Sequence, residues 1–164
     1  MSEQNQELSA DEKVKRAAEL YTLINDLQDG SGQGAQGVIH YHLGFQYATE
    51  ALADKLSDLG VDSSWRLLDL CCGWGVPTRF LAARFGCHIM GIDITQRSID
   101  LARQFTEGTD VESLLTFQQG NSLDLPLAPA EIDLVWSQDG FCHIPGRRRL
   151  LGECVVFSSA EIRF

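Results

Sequence analysis

Short apolar runs alternate along this chain with stretches whose apolar residues recur at helical spacing. The runs lie at Arg66–Leu70, Cys87–Ile92, Leu114–Gln119 and Ile132–Trp136. In the first, Leu67, Leu68 and Leu70 make the short apolar run of a parallel strand covered on both faces. Helices are predicted between and before them. Ser9-Ala10-Asp11-Glu12 is a capping-box pattern that opens a helix to about Leu27, with Val14, Ala17, Ala18, Tyr21 and Ile24 on one face. Gln46–Leu59 reads as a second helix that buries Ala48, Leu52, Leu56 and Leu59 and stops at Gly60. A third follows Pro77, with Phe80, Leu81, Ala83 and Phe85 apolar and Gly86 as its stop. Gln96–Phe105 carries Ile99, Leu101 and Ala102, and a last helix begins at Arg147 with Leu150 and Leu151 turned inward. Strands alternating with helices predict an α/β fold with a mostly parallel sheet.

The stretch Arg66–Asp93 organises the rest. It runs strand, glycine-bearing turn, helix, strand, and ends on an acid. Gly73 and Gly75 stand where the chain turns sharply and a ligand approaches the backbone. A dinucleotide site asks for G-x-G-x-x-G, but the position three after Gly75 is Thr78. The other reading is a site for S-adenosylmethionine, which has no pyrophosphate. That ligand needs an open turn, an acid on the first strand to orient the turn and the ligand's ammonium group, and an acid at the end of the second for the ribose. Asp69, Gly73, Gly75 and Asp93 supply these.

Composition narrows the picture. With 164 residues, 44% hydrophobic and 22% charged, the chain suits one ordinary globular domain. A formal charge of −10 argues against tracking nucleic-acid phosphates and toward a small-molecule partner, an amine included. No signal peptide opens the chain, and no apolar run reaches the roughly 18–20 residues of a membrane span. Five cysteines without a C-x-x-C pair indicate neither a disulfide framework nor a zinc site, and predict a reducing, cytoplasmic setting. His40 and His42 alternate but lack further metal ligands nearby, so no metal is expected. Asp29–Gly37 is glycine-rich and reads as a connector, with a hinge over the site as its functional alternative.

Two later stretches carry chemistry. Gly120-Asn121-Ser122 closes the third strand, where Asn121 reads either as a turn residue or as an adenine contact. Ser137-Gln138-Asp139-Gly140-Phe141-Cys142-His143 leaves the fourth strand beside the expected methyl donor. A histidine there suits proton relay near neutral pH.

Taken together, I-H-x-H-L-G, D-L-x-C-G-W-G, G-I-D-I, G-N-S and V-W-S-Q-D-x-x-x-H resemble the glycine, sarcosine and dimethylglycine N-methyltransferases of betaine synthesis. The S-x-D-x-x-x-H spacing is also similar to the phosphoethanolamine methyltransferases. The resemblance spans Ile39–Gly152. It implies the Rossmann-like class I methyltransferase fold, with strands in the order third, second, first, fourth, beneath an N-terminal helical cover. It divides the chain into a helix and connector, 1–37, and a cofactor-binding domain, 38–164. It implies S-adenosyl-L-methionine as cofactor, lined by Asp69, Cys71, Gly73, Gly75, Asp93, Ile94, Asn121, Ser122, Ser137 and Gln138. Asp139 would position the amine, and His143 would form a dyad with a tyrosine, Tyr41 or Tyr21, between which spacing does not choose.

Two departures from the family pattern stand out. Cys71 replaces the usual first glycine of the turn. After Gly152-Glu153-Cys154 the chain runs into VVFSSAEIRF, where relatives continue with three strands and a substrate-covering insert. Val155–Phe157 and Ile162–Phe164 are expected to extend the last helix or to add a short fifth edge strand. The final strands are expected to be missing, and the exposed sheet edge to favour self-association. The functions left open are an amine methyltransferase, a natural-product O-, N- or C-methyltransferase, a catalytically incomplete cofactor-binding fragment, and a nicotinamide-dependent oxidoreductase.

Overall fold

A computed structural model describes residues 9, 12, 15, 18, 19, 48–125, 127 and 131–157. The Ser9 capping box forms as the sequence predicts: the Ser9 backbone N–H and hydroxyl both donate to Glu12 Oε2, at 2.9 and 2.8 Å, and the Glu12 N–H donates back to Ser9 Oγ at 3.3 Å. The glycine-rich connector, His40, His42, Tyr21 and Tyr41 lie outside the described residues.

Four parallel strands, β1 (Arg66–Leu70), β2 (His88–Asp93), β3 (Leu115–Gln119) and β4 (Leu134–Trp136), form one sheet in the order β3-β2-β1-β4. This is the order that the resemblance implies. In register, Asp69 sits beside Gly91 and Trp136, and Gly91 beside Phe117. The helices are α1 through 48–58, α2 (Val76–Phe85), α3 (Gln96–Thr106) and α4 (Arg147–Phe157). One sheet face bears Leu67, Ile89, Phe117 and Trp136 and is covered by α1, α2 and α3 through Ala53, Leu56, Leu81, Ala82, Ile99 and Ala102. The other bears Leu68, Leu70 and Ile92 and packs on Leu150 and Cys154 of α4. No described helix is long and apolar enough to cross a membrane.

Helix ends follow local chemistry. Gly60 and Gly86 both take left-handed φ, 81° and 67°. The Val61 N–H reaches Leu56 O at 3.1 Å and the Gly86 N–H reaches Ala82 O at 2.8 Å, so each glycine closes its helix by turning orphan carbonyls inward. Pro77 lies in the first turn of α2.

Several buried faces differ from the sequence expectation. In α1 the inward side is Thr49, Ala53 and Leu56, whereas Ala48, Leu52 and Leu59 are exposed. On that inward side Thr49 donates to Gln138 in the loop after β4, a long-range bond that apolar spacing does not register. In α2, Thr78, Leu81 and Ala82 are buried and Ala83 is exposed, because Thr78 is drawn in by Asp69. In α4, Leu150 is buried but Leu151 is exposed. The fourth strand is shorter than predicted: Ile132 forms only a bridge, and Asp133 turns back to bind both the N–H and the carbonyl of Arg66. Val155–Phe157 extend α4 rather than adding a strand.

Gly91 makes room for one aromatic ring. A Cβ there would lie 2.6 Å from Phe117 Cδ1 and 2.9 Å from Cys72 Sγ. Gly91→Ala is therefore expected to lower unfolding free energy by about 1–3 kcal/mol through overpacking. An unchanged urea midpoint with unchanged slope would contradict this packing.

Candidate active site

The turn between β1 and α2 is built by backbone bonds and one distant carboxylate. The Cys72 N–H donates to Ile92 O at 3.1 Å, and the Gly75 N–H to Cys72 O at 2.9 Å. The Gly73 N–H donates to Asp93 Oδ2 at 3.1 Å. Asp93 Oδ1 accepts from the Thr95 N–H at 2.9 Å and from its hydroxyl at 3.0 Å. Thr95 in turn caps α3 by accepting from the Ser98 N–H. One carboxylate thus ties the turn after β1 to the start of the helix after β2.

The two glycines of the turn are not equivalent. Both have positive φ, 53° at Gly73 and 71° at Gly75. A Cβ on Gly73 would meet no described residue within 4 Å, so among the described residues this position opens onto free space. A Cβ on Gly75 would come within 2.7 Å of Phe117 Cζ. Gly75 is required by its conformation and by the Phe117 ring. Arg79 reaches back from α2 to hold the Trp74 carbonyl at 2.8 Å.

Asp69 lies beneath the turn, buried, and accepts the Thr78 hydroxyl at 2.6 Å. Burial first, and the neighbouring Asp93 carboxylate after it, push its pKa up to about 7 against the pull of the Thr78 bond. The sequence predicts that Asp69 orients the turn and the ligand's ammonium group. Its observed link is to the first turn of α2, and Asp93 carries the bond to the turn's own backbone. Two acids at the carboxyl ends of adjacent strands make this crevice complementary to a cation.

Cys71 follows β1 in the left-handed region, with φ 61°. Burial, and then Asp93, push its thiol up to about 12, so it is a neutral group and no nucleophile. Its Sγ lies 4.0 Å from Ser122 Oγ. Asn121 accepts the Leu123 N–H on its side-chain oxygen at 3.0 Å and the Asp124 N–H on its carbonyl at 2.8 Å, a turn-forming arrangement. The Ile94 carbonyl accepts from Gln119 Nε2 at 3.1 Å, and the Gly120 N–H donates to Asp93 O at 2.9 Å.

The loop after β4 lies against the same strand ends. Ser137 Oγ donates to Leu70 O at 2.9 Å, and Gln138 Oε1 accepts the Thr49 hydroxyl of α1 at 2.8 Å. Asp139 is exposed with φ 56°, Gly140 is buried, and Phe141–His143 form a short 3-10 turn in which the His143 N–H donates to Gly140 O at 3.0 Å. The His143 residue is exposed.

The structure therefore gathers Cys71, Ser122, Ser137 and Gly140 at one side of the crevice, and Gly73 and Asp93 at the other. Sequence reasoning did not single out Thr49, Thr78, Arg79, Thr95, Phe117 or Gly140. Thr95 was findable, since a threonine directly before a helical run is a cap signal. The others depend on contacts across the fold and leave no local signature.

A methyltransferase-domain family model matches residues 67–157. The sarcosine/dimethylglycine N-methyltransferase of Halorhodospira halochloris is 33% identical over 117 residues, which are 70% of this chain and 41% of that protein. The glycine/sarcosine/dimethylglycine N-methyltransferase of Actinopolyspora halophila is 35% identical over 107 residues, 65% of this chain and 19% of that protein. Plant sterol and tocopherol methyltransferases are similar as well, both at 29% identity. Among solved structures, one assigned as a sarcosine dimethylglycine methyltransferase from Galdieria sulphuraria superposes with a TM-score of 0.65 at 28% identity, covering 68% of this chain and 41% of that one. The chain thus spans no more than about two fifths of these relatives' lengths. With its strand order, acid pair and family match in agreement, the chain belongs to the class I S-adenosylmethionine-dependent methyltransferases.

Proposed function

We propose that the chain holds S-adenosylmethionine at the carboxyl ends of β1 and β2 and serves methyl transfer to a small amine of the sarcosine or dimethylglycine kind. The observation that carries this is the open turn position Gly73, tied to Asp93 and flanked by the Ser137–His143 loop on the neighbouring strand. The fit is electrostatic and steric. The ligand is cationic, Asp69 and Asp93 are acidic, and among the described residues nothing fills the space over Gly73. Asp93 would take the ribose hydroxyls, and the backbone at Gly73 and Gly75 the aminoacyl tail. Cys71, Ile94, Asn121, Ser122, Ser137 and Gln138 would complete the lining.

When bound, the cofactor supplies a sulfonium methyl already activated for displacement. The protein's own work is then alignment and exclusion of water. Asp139 would hold the incoming amine by charge and hydrogen bond. His143 would accept the proton that a primary or secondary amine must lose, with the Tyr41 hydroxyl as its partner. A tertiary amine that arrives deprotonated has no further proton to lose on methylation, and there His143 would only position. The amine reading is favoured over other small acceptors by the W-S-Q-D-x-x-x-H pattern and by the acidity of the chain. The setting is taken to be cytoplasmic.

The test is a calorimetric titration with S-adenosylhomocysteine, against NAD as control, followed by a methyl-transfer assay over a panel of amines. His143→Ala is expected to lower turnover about a hundredfold or more on a secondary amine while S-adenosylhomocysteine affinity stays within about twofold. Equal losses in both would remove His143 from the proton path. Binding without transfer to any amine would make the chain a cofactor-binding portion only.

A further inference from the structure

We infer that Cys71 and Gly140 act as a matched pair that sets where the Asp139- and His143-bearing loop lies over the crevice, so that Cys71 is a positioning residue for methyl transfer. This rests on the proposed function for its consequence, though not for its geometry. A Cβ built on Gly140 would clash with the Cβ of Cys71, closer than real Cβ atoms approach, with Cys71 Sγ at 3.0 Å and Ser137 Oγ at 3.1 Å. A Cβ position is set by the backbone, so no rotamer change at residue 71 relieves that collision. One of the two backbones has to move.

Both sides of the contact resist moving. Cys71 directly follows Leu70, whose carbonyl accepts Ser137 Oγ, and precedes Cys72, whose N–H is bonded to Ile92 O. It already occupies a left-handed conformation that a side chain rarely adopts. On the other side, Asp139 reverses the chain with its own positive φ, and the Gly140 carbonyl accepts the His143 N–H. The placement of Gly140 is therefore passed directly to the turn that carries His143. The requirement for glycine at 140 comes from this close approach, because its φ is not among the positive values. A side chain at 71 and none at 140 is one solution to the contact. The reverse assignment, none at 71 and a methyl at 140, is the other.

The experiment uses Gly140→Ala, Cys71→Gly and the double variant in the full chain. Gly140→Ala is expected to shift the NMR ring signals of His143 and to lower kcat roughly ten- to a hundredfold, as a displacement of about 1 Å at a reacting group does. S-adenosylhomocysteine affinity should change far less. In the double variant the His143 signals should move back toward wild type, and kcat should exceed that of Gly140→Ala alone. His143 signals untouched by Gly140→Ala, or no recovery in the double variant, would overturn the pairing. The spectral arm needs no turnover. Recovered signals with no methyl transfer by wild type would instead count against the proposed function. Should Gly140→Ala fail to fold, a folded double variant would support the pairing and an unfolded one would overturn it.

Discussion

Replacing Asp93 with alanine is expected to weaken S-adenosylhomocysteine binding by about ten- to a hundredfold, the worth of one charge-assisted hydrogen bond. Each carboxylate oxygen carries two lone-pair sites. In this structure Oδ1 takes the Thr95 N–H and hydroxyl, and Oδ2 takes the Gly73 N–H. Among the described residues Oδ2 therefore keeps one acceptor position, where the proposed function would place a ribose hydroxyl. Alanine removes that position and also leaves the Gly73 and Thr95 amides without their acceptor, so the turn loses its preorganised shape. Asparagine offers a single acceptor oxygen of similar reach and should fall between alanine and wild type. Calorimetry on samples whose circular dichroism matches wild type gives the answer. An alanine variant that binds with wild-type affinity would remove Asp93 from the proposed ribose contact.

The second large effect is on stability, and its sign follows from Asp69. The folded pKa is raised to about 7 from an ordinary 3.8, so the native state holds a proton that the unfolded chain releases. Stability contributed by that proton is fully present below about pH 4 and lost as pH rises through about 7. With the carboxyl fully buried, the loss reaches on the order of 4 kcal/mol between these limits. Asp69→Asn keeps an acceptor for Thr78 and carries no charge. The variant should match wild type below about pH 4, draw ahead as pH rises, and exceed it by several kcal/mol at pH 8 in urea titrations. Asp62, whose exposed carboxyl is held below its usual range by Ser64, titrates beneath this window and does not blur it. Parallel pH profiles for the two proteins would mean that Asp69 ionises as freely in the fold as outside it.

Under the proposed function the same residue would set function against stability: the neutral form favours the fold, and an ionised one would suit a cationic ligand. The desolvation that raises its pKa is what makes it a poor surface acid and a useful site acid.

The site was partly visible in the chain. Asp69, Gly73, Gly75 and Asp93 stood out because strand ends and tight turns need particular residue types at particular spacings. Cys71 stood out as a departure from that pattern. Its partner Gly140 did not, since the two lie 69 positions apart and nothing local marks their approach. Phe117, the reason Gly75 and Gly91 lack side chains, was equally silent.

What the sequence determined alone is therefore the set of elements and their ends. Apolar runs made β1 to β3 legible, the Ser9 capping box and the Gly60 and Gly86 stops were read correctly, and alternation of strand with helix implied a parallel sheet. These signals are local, acting within a few residues through backbone conformation and hydrogen bonding. Only the tertiary structure decided which side of α1 turns inward, that Gln138 is held by Thr49, that Asp93 rather than Asp69 binds the turn, and that Cys71 meets Gly140. Each depends on the register of packed layers, where a shift of one residue exchanges one face for the other.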